Sequence, residues 1–422
     1  MRAHPYPASR GFSMVELMVA MLIGLIGMII IFQVFEVSES IKRTTTSGGD
    51  AQQNGVVALY TMERDLKNAG MGINYTTLAG CSIIGWDQLR ATQTIPPGGQ
   101  TLTLAPVVIT PGANTTTPDQ FTVLYGSSGL AGGPVALNIN LTSPTAPLAL
   151  ANPFGYSPGD MLILAEATPG KNCSLMEVTR ADSTGVYHDP SVSYAVPVKG
   201  GSTNYTSRFN KVGGLGVTYT AITTKVFNLG NLYFVPSDSS EPVNAPVYNT
   251  YAISNNSLTV TTQFATDGNG LPLTRVVADN IVHMRALYGL DDGRNDTITA
   301  KYNNATNVAG DGIVDRFVDA ATFNAIVPVP WAQLIAVRLV IVSRSALPEK
   351  PTQGLTAACD ATVNEPIWTG TPWASNPLRY NTHLDLSTTG DPNAASLDNW
   401  TCYRYRVFET TIPLRNWIWK AG

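Results

Sequence analysis

Two stretches of the 422-residue chain set oxygen ligands beside glycine turns. Residues 288–296 read YGLDDGRND, and residues 310–315 read GDGIVD. Loops of this kind offer the carboxylate and carbonyl oxygens that Ca²⁺ prefers. Asp291, Asp292, Asn295, Asp296, Asp311 and Asp315 are the candidate ligands, and Ca²⁺ is the only cofactor to which the residues point. The EF-hand spacing with its terminal Glu is not met. The competing reading is a polar hairpin in which Asp and Gly make turns.

Other chemistry is sparse. Four histidines, His4, His188, His283 and His383, stand outside any HExxH or HxH pattern. The chain contains no G-x-S-x-G elbow and no G-x-x-x-x-G-K-[ST] phosphate loop. The expectation is a protein that is not an enzyme. A net charge of −4 supplies no global positive field for nucleic acid. Charged residues are 13% of the chain, against about 25% in typical soluble domains. Thr, Asn, Ser, Gly and Pro take their place, a balance that suits a secreted, loop-rich, β-rich protein. At 44% apolar, the chain has enough hydrophobic material to fold.

One carboxylate sits where a charge is costly. Residues 12–35 read FSMVELMVAMLIGLIGMIIIFQVF, and Glu16 is the single charge among them. The uncharged run Leu17–Phe35 would span about 28 Å as a helix, close to the ~30 Å bilayer core. Arg2 and Arg10 precede it and favour a cytoplasmic N-terminus. A conventional secretory signal has a shorter apolar region followed by its cleavage site. Here the natural break lies before the apolar run, at Gly11–Phe12. Cutting there leaves the helix on the mature chain and places a new α-amino group on Phe12. Glu16 could then neutralise that amine on a neighbouring subunit. The bland alternative is a Glu snorkelling to the headgroups of an ordinary anchor.

The cysteines, Cys81, Cys173, Cys359 and Cys402, are even in number and too widely spaced for a CxxC motif. That usage suggests two disulfides in an oxidising compartment. Three pairings are open, and the residues alone do not choose among them. Cys81–Cys173 with Cys359–Cys402 would close the shortest loops.

These residues need elements to position them. After Phe35 the chain turns polar, and Gly48-Gly49 is expected to loosen or break the helix. Asp50 offers an N-cap with Gln53 three residues on. Val56, Leu59, Met62, Leu66 and Ala69 then form an apolar stripe at helical spacing. Glu63, Arg64, Asp65 and Lys67 lie mostly off it, and Gly70 supplies the stop. From about residue 71 the pattern is β-rich, with candidate strands at 101–109, 120–126, 160–167, 231–236 and 257–264. Residues 110–119 and 143–153 read as loops, and a weak boundary falls near 245. Two late segments stand out, Trp331–Arg344 as a long buried strand and Tyr403–Asn416 as a strand with one wet face. The organisation expected is a leader at 1–11, a membrane helix at 12–41, an amphipathic helix at 50–70 and a head at 71–422. The fold class is α+β, with a long N-terminal helix and a large, mainly antiparallel head.

The string Arg10-Gly11-Phe12-Ser13-Met14-Val15-Glu16-Leu17 resembles the class III signal of type IV prepilins. In that family an inner-membrane prepilin peptidase cuts after the Gly and methylates the new N-terminus. The resemblance implies cleavage at Gly11, N-methylation of Phe12 and an assembly role for Glu16. Val337-Arg338-Leu339 and Leu414-Arg415-Asn416 resemble the late strand and the arginine-rich ending of the PilW branch of minor pilins. Residues 80–270 offer no match.

What the resemblance implies is a minor pilin that helps to prime pilus assembly near the tip, and so serves twitching motility and adhesion. Its expected partners are other minor pilins, the major pilin, the inner-membrane assembly platform, the prepilin peptidase and the membrane, with no nucleic acid. It would be a single-pass inner-membrane protein with a periplasmic head, later carried on the pilus at the cell surface. A type II secretion pseudopilin and a membrane-anchored adhesin are the alternatives.

Overall fold

A computed structural model describes residues 13–90, 92–96, 101–113, 117–128, 133–235, 242, 244–293, 309–349, 351, 359–364, 366–368, 382–383 and 400–418. One helix, α1, runs unbroken from Met14 to Asn68. The expected break at Gly48-Gly49 does not occur. Each helical glycine costs only about 1 kcal/mol relative to Ala. Breaking the helix would instead forfeit the ladder bonds of a turn and the docking of Ser47 and Ala51, both buried against the head. The helix stops at Asn68, and the chain turns away at Gly70 in the left-handed region, at φ +84°.

The head is built from three main sheets. Five antiparallel strands run in the order Pro272–Asp279, Ser257–Thr266, Val247–Ser254, Gln120–Tyr125, Val107–Thr110. Because this sheet joins Gln120–Tyr125 to Val247–Ser254, no boundary lies near 245. A second sheet of four antiparallel strands runs Arg316–Val318, Ile281–Leu290, Leu334–Arg344, Tyr405–Pro413. The third, of seven strands, contains one parallel pair, Ser82–Trp86 beside Cys173–Glu177. The head is thus mainly antiparallel.

Alternation decides which faces are buried. On the strand Asp160–Glu166, Met161, Ile163 and Ala165 enter the main core. Leu162 and Leu164 enter a smaller core with Leu148, Val186 and Tyr219. A strand covered on both faces reads as a continuous apolar run, which is why DMLILAE does so. The main core joins α1 to all three sheets through Met62, Leu66, Ile83, Phe121, Tyr251, Met284, Val337 and Ile412.

Other strands depart from expectation. Residues 101–109 form two short strands, Leu102–Thr103 and Val107–Thr110, with Pro106 between them. The strand expected at 231–236 lies earlier, at Thr224–Asn231. In the middle of the chain a buried ionic cluster replaces apolar packing. Arg208 donates two bonds of 2.6 Å to Asp87, and Arg90 lies 3.3 Å from the same carboxylate.

The long helix and its seat on the head

Among the described residues, the first half of α1 is not buried against the head. Over Met14–Glu39 it is long and apolar enough to cross a membrane, and none of that span is buried. Glu16 lies in the first turn and is exposed. Ser13 precedes the helix without a side-chain cap, so backbone N–H groups there remain for other acceptors. The positive end of the helix dipole favours a carboxylate at this place. Gly11 and Phe12 lie outside the described residues.

The second half is held by the four-stranded sheet, the five-stranded sheet and the C-terminal segment. Its buried face is Ala51, Ala58, Met62, Leu66 and Ala69, each fully buried. Of the expected stripe, Met62, Leu66 and Ala69 are buried and Leu59 packs partly on the core, whereas Val56 is 51% exposed and Ala51, Gly55 and Ala58 extend the buried face instead. The cause is side-chain size. Small residues let the sheet come close, and the ring of Phe408 lies against Gly55 with no space for a Cβ. Ser343 donates to the Ala51 carbonyl at 2.7 Å, tying the strand Leu334–Arg344 to the helix backbone.

Asp65 corrects the expectation that the charged residues lie off the packed face. It is buried and accepts from Tyr251 at 2.7 Å, Asn249 at 3.1 Å and Tyr125 at 3.2 Å. Burial, then the Asp65 charge, pushes both tyrosine hydroxyls up from their ordinary value. These hydroxyls therefore stay protonated and keep donating. A buried carboxylate with three donors pins α1 to the five-stranded sheet.

The C-terminal Leu414-Arg415-Asn416 closes the far end. Leu414 is buried in the core. The Asn416 amide donates to the carbonyls of Lys67 at 3.3 Å and Asn68 at 3.1 Å, capping acceptors that the helix cannot satisfy itself. Trp417 is buried, and its indole donates to the Trp331 carbonyl at 2.8 Å. The late arginines make mainly local contacts: Arg338 pairs with Glu409, Arg404 pairs with Glu349, and Arg344 stacks on Tyr403.

Cys81 is bonded to Cys173, and Cys359 to Cys402. Beside the first bond lies a cleft of about 470 Å³, between residues 77–82, 166–172 and 328–331. Burial opposes ionisation of Glu166 in its wall, but bonds from Lys171, the Thr220 backbone and Thr168 prevail and hold its pKa at about 2.

Among the described residues the acidic loops are bonded within themselves. Asp291 accepts from the backbone of Gly310 and from Gly312 at 2.8 Å. Asp292 pairs with Arg316 at 2.6 Å, and Asp315 accepts from Gly293 at 2.6 Å. Asp311 accepts from Ile313 at 2.8 Å. Among the described residues no group of three His, Cys, Asp or Glu side chains could hold a metal ion. Asn295 and Asp296 lie outside the described residues.

An apolar half-helix long enough to cross a membrane is carried by a second half buried in a β-rich head. Two family models match the chain. The model of the prokaryotic N-terminal methylation motif matches residues 7–32, which include Glu16. The model of type IV pilus-assembly protein W, PilW, matches residues 250–416 and ends on the helix-capping Asn416. Together they support a PilW-like type IV pilin. No curated protein and no solved structure matches the chain.

Proposed function

We propose that this chain is a minor pilin that primes type IV pilus assembly at or near the tip, and that it is not an enzyme. The observation that carries the reading is the division of α1. Its head half is locked in place, while Met14–Glu39 has no intramolecular cover and needs lipid or other helices around it. Extraction into a filament exchanges lipid for helix contacts. Glu16 would then pair with the Phe12 amine of a neighbour, in a medium where an unpaired charge is costly. The head would lie in the periplasm before assembly and at the cell surface afterwards. Its bulk favours a tip position, since a large head would crowd a repeating lattice. Other minor pilins, the major pilin, the assembly platform and the prepilin peptidase are the partners this requires.

The test is the amount of pilus sheared from cells lacking the gene, with and without the retraction motor. Few pili, partly restored when retraction is blocked, is the expected result. Normal pili with lost attachment would overturn priming and favour an adhesin. Normal pili with defective protein secretion would favour a pseudopilin.

A further inference from the structure

The four-stranded sheet ends on a long strand with an open side. Tyr405–Pro413 pairs with Leu334–Arg344 through nine consecutive residues without a register shift, and among the described residues no strand pairs with its other side. The bonds at its two ends show which residues face inward. Ser345 donates to the Arg404 carbonyl at 2.8 Å, and Leu414 donates to the Ile335 carbonyl at 2.9 Å. Even-numbered residues of this strand therefore bond to the sheet, because narrow and wide pairs alternate in an antiparallel ladder. Tyr405, Val407, Glu409 and Thr411 turn their N–H and C=O groups outward. Among the described residues none of these groups takes a backbone partner outside the ladder.

Both ends of this edge are closed. At its start Thr362 donates from its backbone to the Thr401 carbonyl and from its hydroxyl to the Tyr403 carbonyl, so another part of the chain already lies there. At its end Pro413 has no N–H to offer. The open length between them is Tyr405 to Thr411. Natural edges are commonly blunted by bulges, lysines or a covering element. This edge has no bulge, and its one charged outward-turned residue, Glu409, is paired with Arg338 of the neighbouring strand.

We propose that Tyr405–Thr411 accepts an extended segment of a neighbouring pilus subunit by strand addition. This rests on the pilin reading, and continuity identifies the occupant. Phe408, in the middle of the strand, lies against Gly55 of α1. On the outward side of the same stretch of helix, Val56, Val57 and Tyr60 are 51%, 44% and 67% exposed. A subunit whose helix packs along that stripe brings its head alongside the open edge. Main-chain bonds then supply affinity, and side chains on alternate positions, Val407 and Thr411, set fit.

Proline provides the test. At an outward-turned position it removes an edge donor and leaves the internal ladder whole, as Pro413 already does. Full-length Val407→Pro and Thr411→Pro are compared with Val407→Thr and Thr411→Val, which alter the side chain but keep the N–H. Each is read as its amount in sheared filaments relative to its amount in membranes. Proline is expected to lower that ratio at least tenfold, and the side-chain variants to stay within twofold of wild type. Ratios for the proline variants within twofold of wild type would overturn the proposal, as would equal losses from Val407→Thr and Val407→Pro. Should the proline variants fail to accumulate, a photo-cross-linking residue at 407 or 411 decides. An adduct to a neighbouring pilin in filaments is expected, and its absence from both positions refutes the edge. If wild type itself is missing from filaments, the pilin reading fails first.

Discussion

The ring of Phe408 rests directly on Gly55. A Cβ placed on that glycine would come within 2.1 Å of the ring's Cε2. Residues far apart in sequence thus set the closest approach of the long helix to the edge of the four-stranded sheet. Gly55→Ala forces the ring to move. Overpacking of this kind typically costs about 1–3 kcal/mol. Thermal unfolding of the detergent-solubilised protein should show a lowered Tm. Phe408→Leu combined with Gly55→Ala should recover part of it, and an unchanged Tm for Gly55→Ala alone would refute the contact.

Asp65→Leu removes an acceptor from Tyr125, Tyr251 and Asn249 while leaving all three in place. Buried donors left without acceptors cost about 1–3 kcal/mol each. We expect a loss of at least about 2 kcal/mol by denaturant unfolding. Asp65→Asn, which keeps one acceptor oxygen, should fall between the variant and wild type.

Glu16→Ala should leave the chain in the membrane and reduce its presence in filaments severalfold. Immunoblots of membrane and sheared fractions measure both. Equal incorporation of mutant and wild type would remove the charge-pairing mechanism and leave the helix as an ordinary anchor.

Glu166 gives a pH dependence of defined sign. Its folded pKa, about 2, lies below its ordinary value of 4.5. A carboxylate depressed in this way contributes stability above pH 4.5 that is lost as pH falls toward 2. Stability measured from pH 5 down to pH 2 should fall less steeply in Glu166→Gln than in wild type. Parallel curves would mean that its bonds to Lys171 and Thr220 do not govern acid stability.

The sequence made the ends of the molecule legible and the middle obscure, for physical reasons. A bilayer-length apolar run with one carboxylate follows a pattern set by the solvent, so Glu16 and its helix can be read locally. The late strands Leu334–Arg344 and Tyr405–Pro413 are long and plainly patterned. The C-terminal part of the seat of α1, Met62, Leu66 and Ala69, follows the apolar pattern, but the part nearer Ala51 does not. Val56 is large and points outward, while Ala51, Gly55 and Ala58 are small and face the sheet. Asp65 was placed on the wet side because its three partners lie on strands distant in sequence. Ile281–Leu290 went unnoticed because burial on both faces erases alternation, and its His283 and Arg285 look polar in isolation. Turn-forming and cation-binding residues are the same types, so the acidic loops read alike in either role.

The unbroken passage of α1 through Gly48-Gly49 has a mechanical consequence. Fifty-five residues of continuous helix make a rod about 80 Å long. Its far end is held by Asn416 and Trp417, and its near end is free to sit among other helices. The head and the span Met14–Glu39 therefore share one continuous ladder of helical hydrogen bonds.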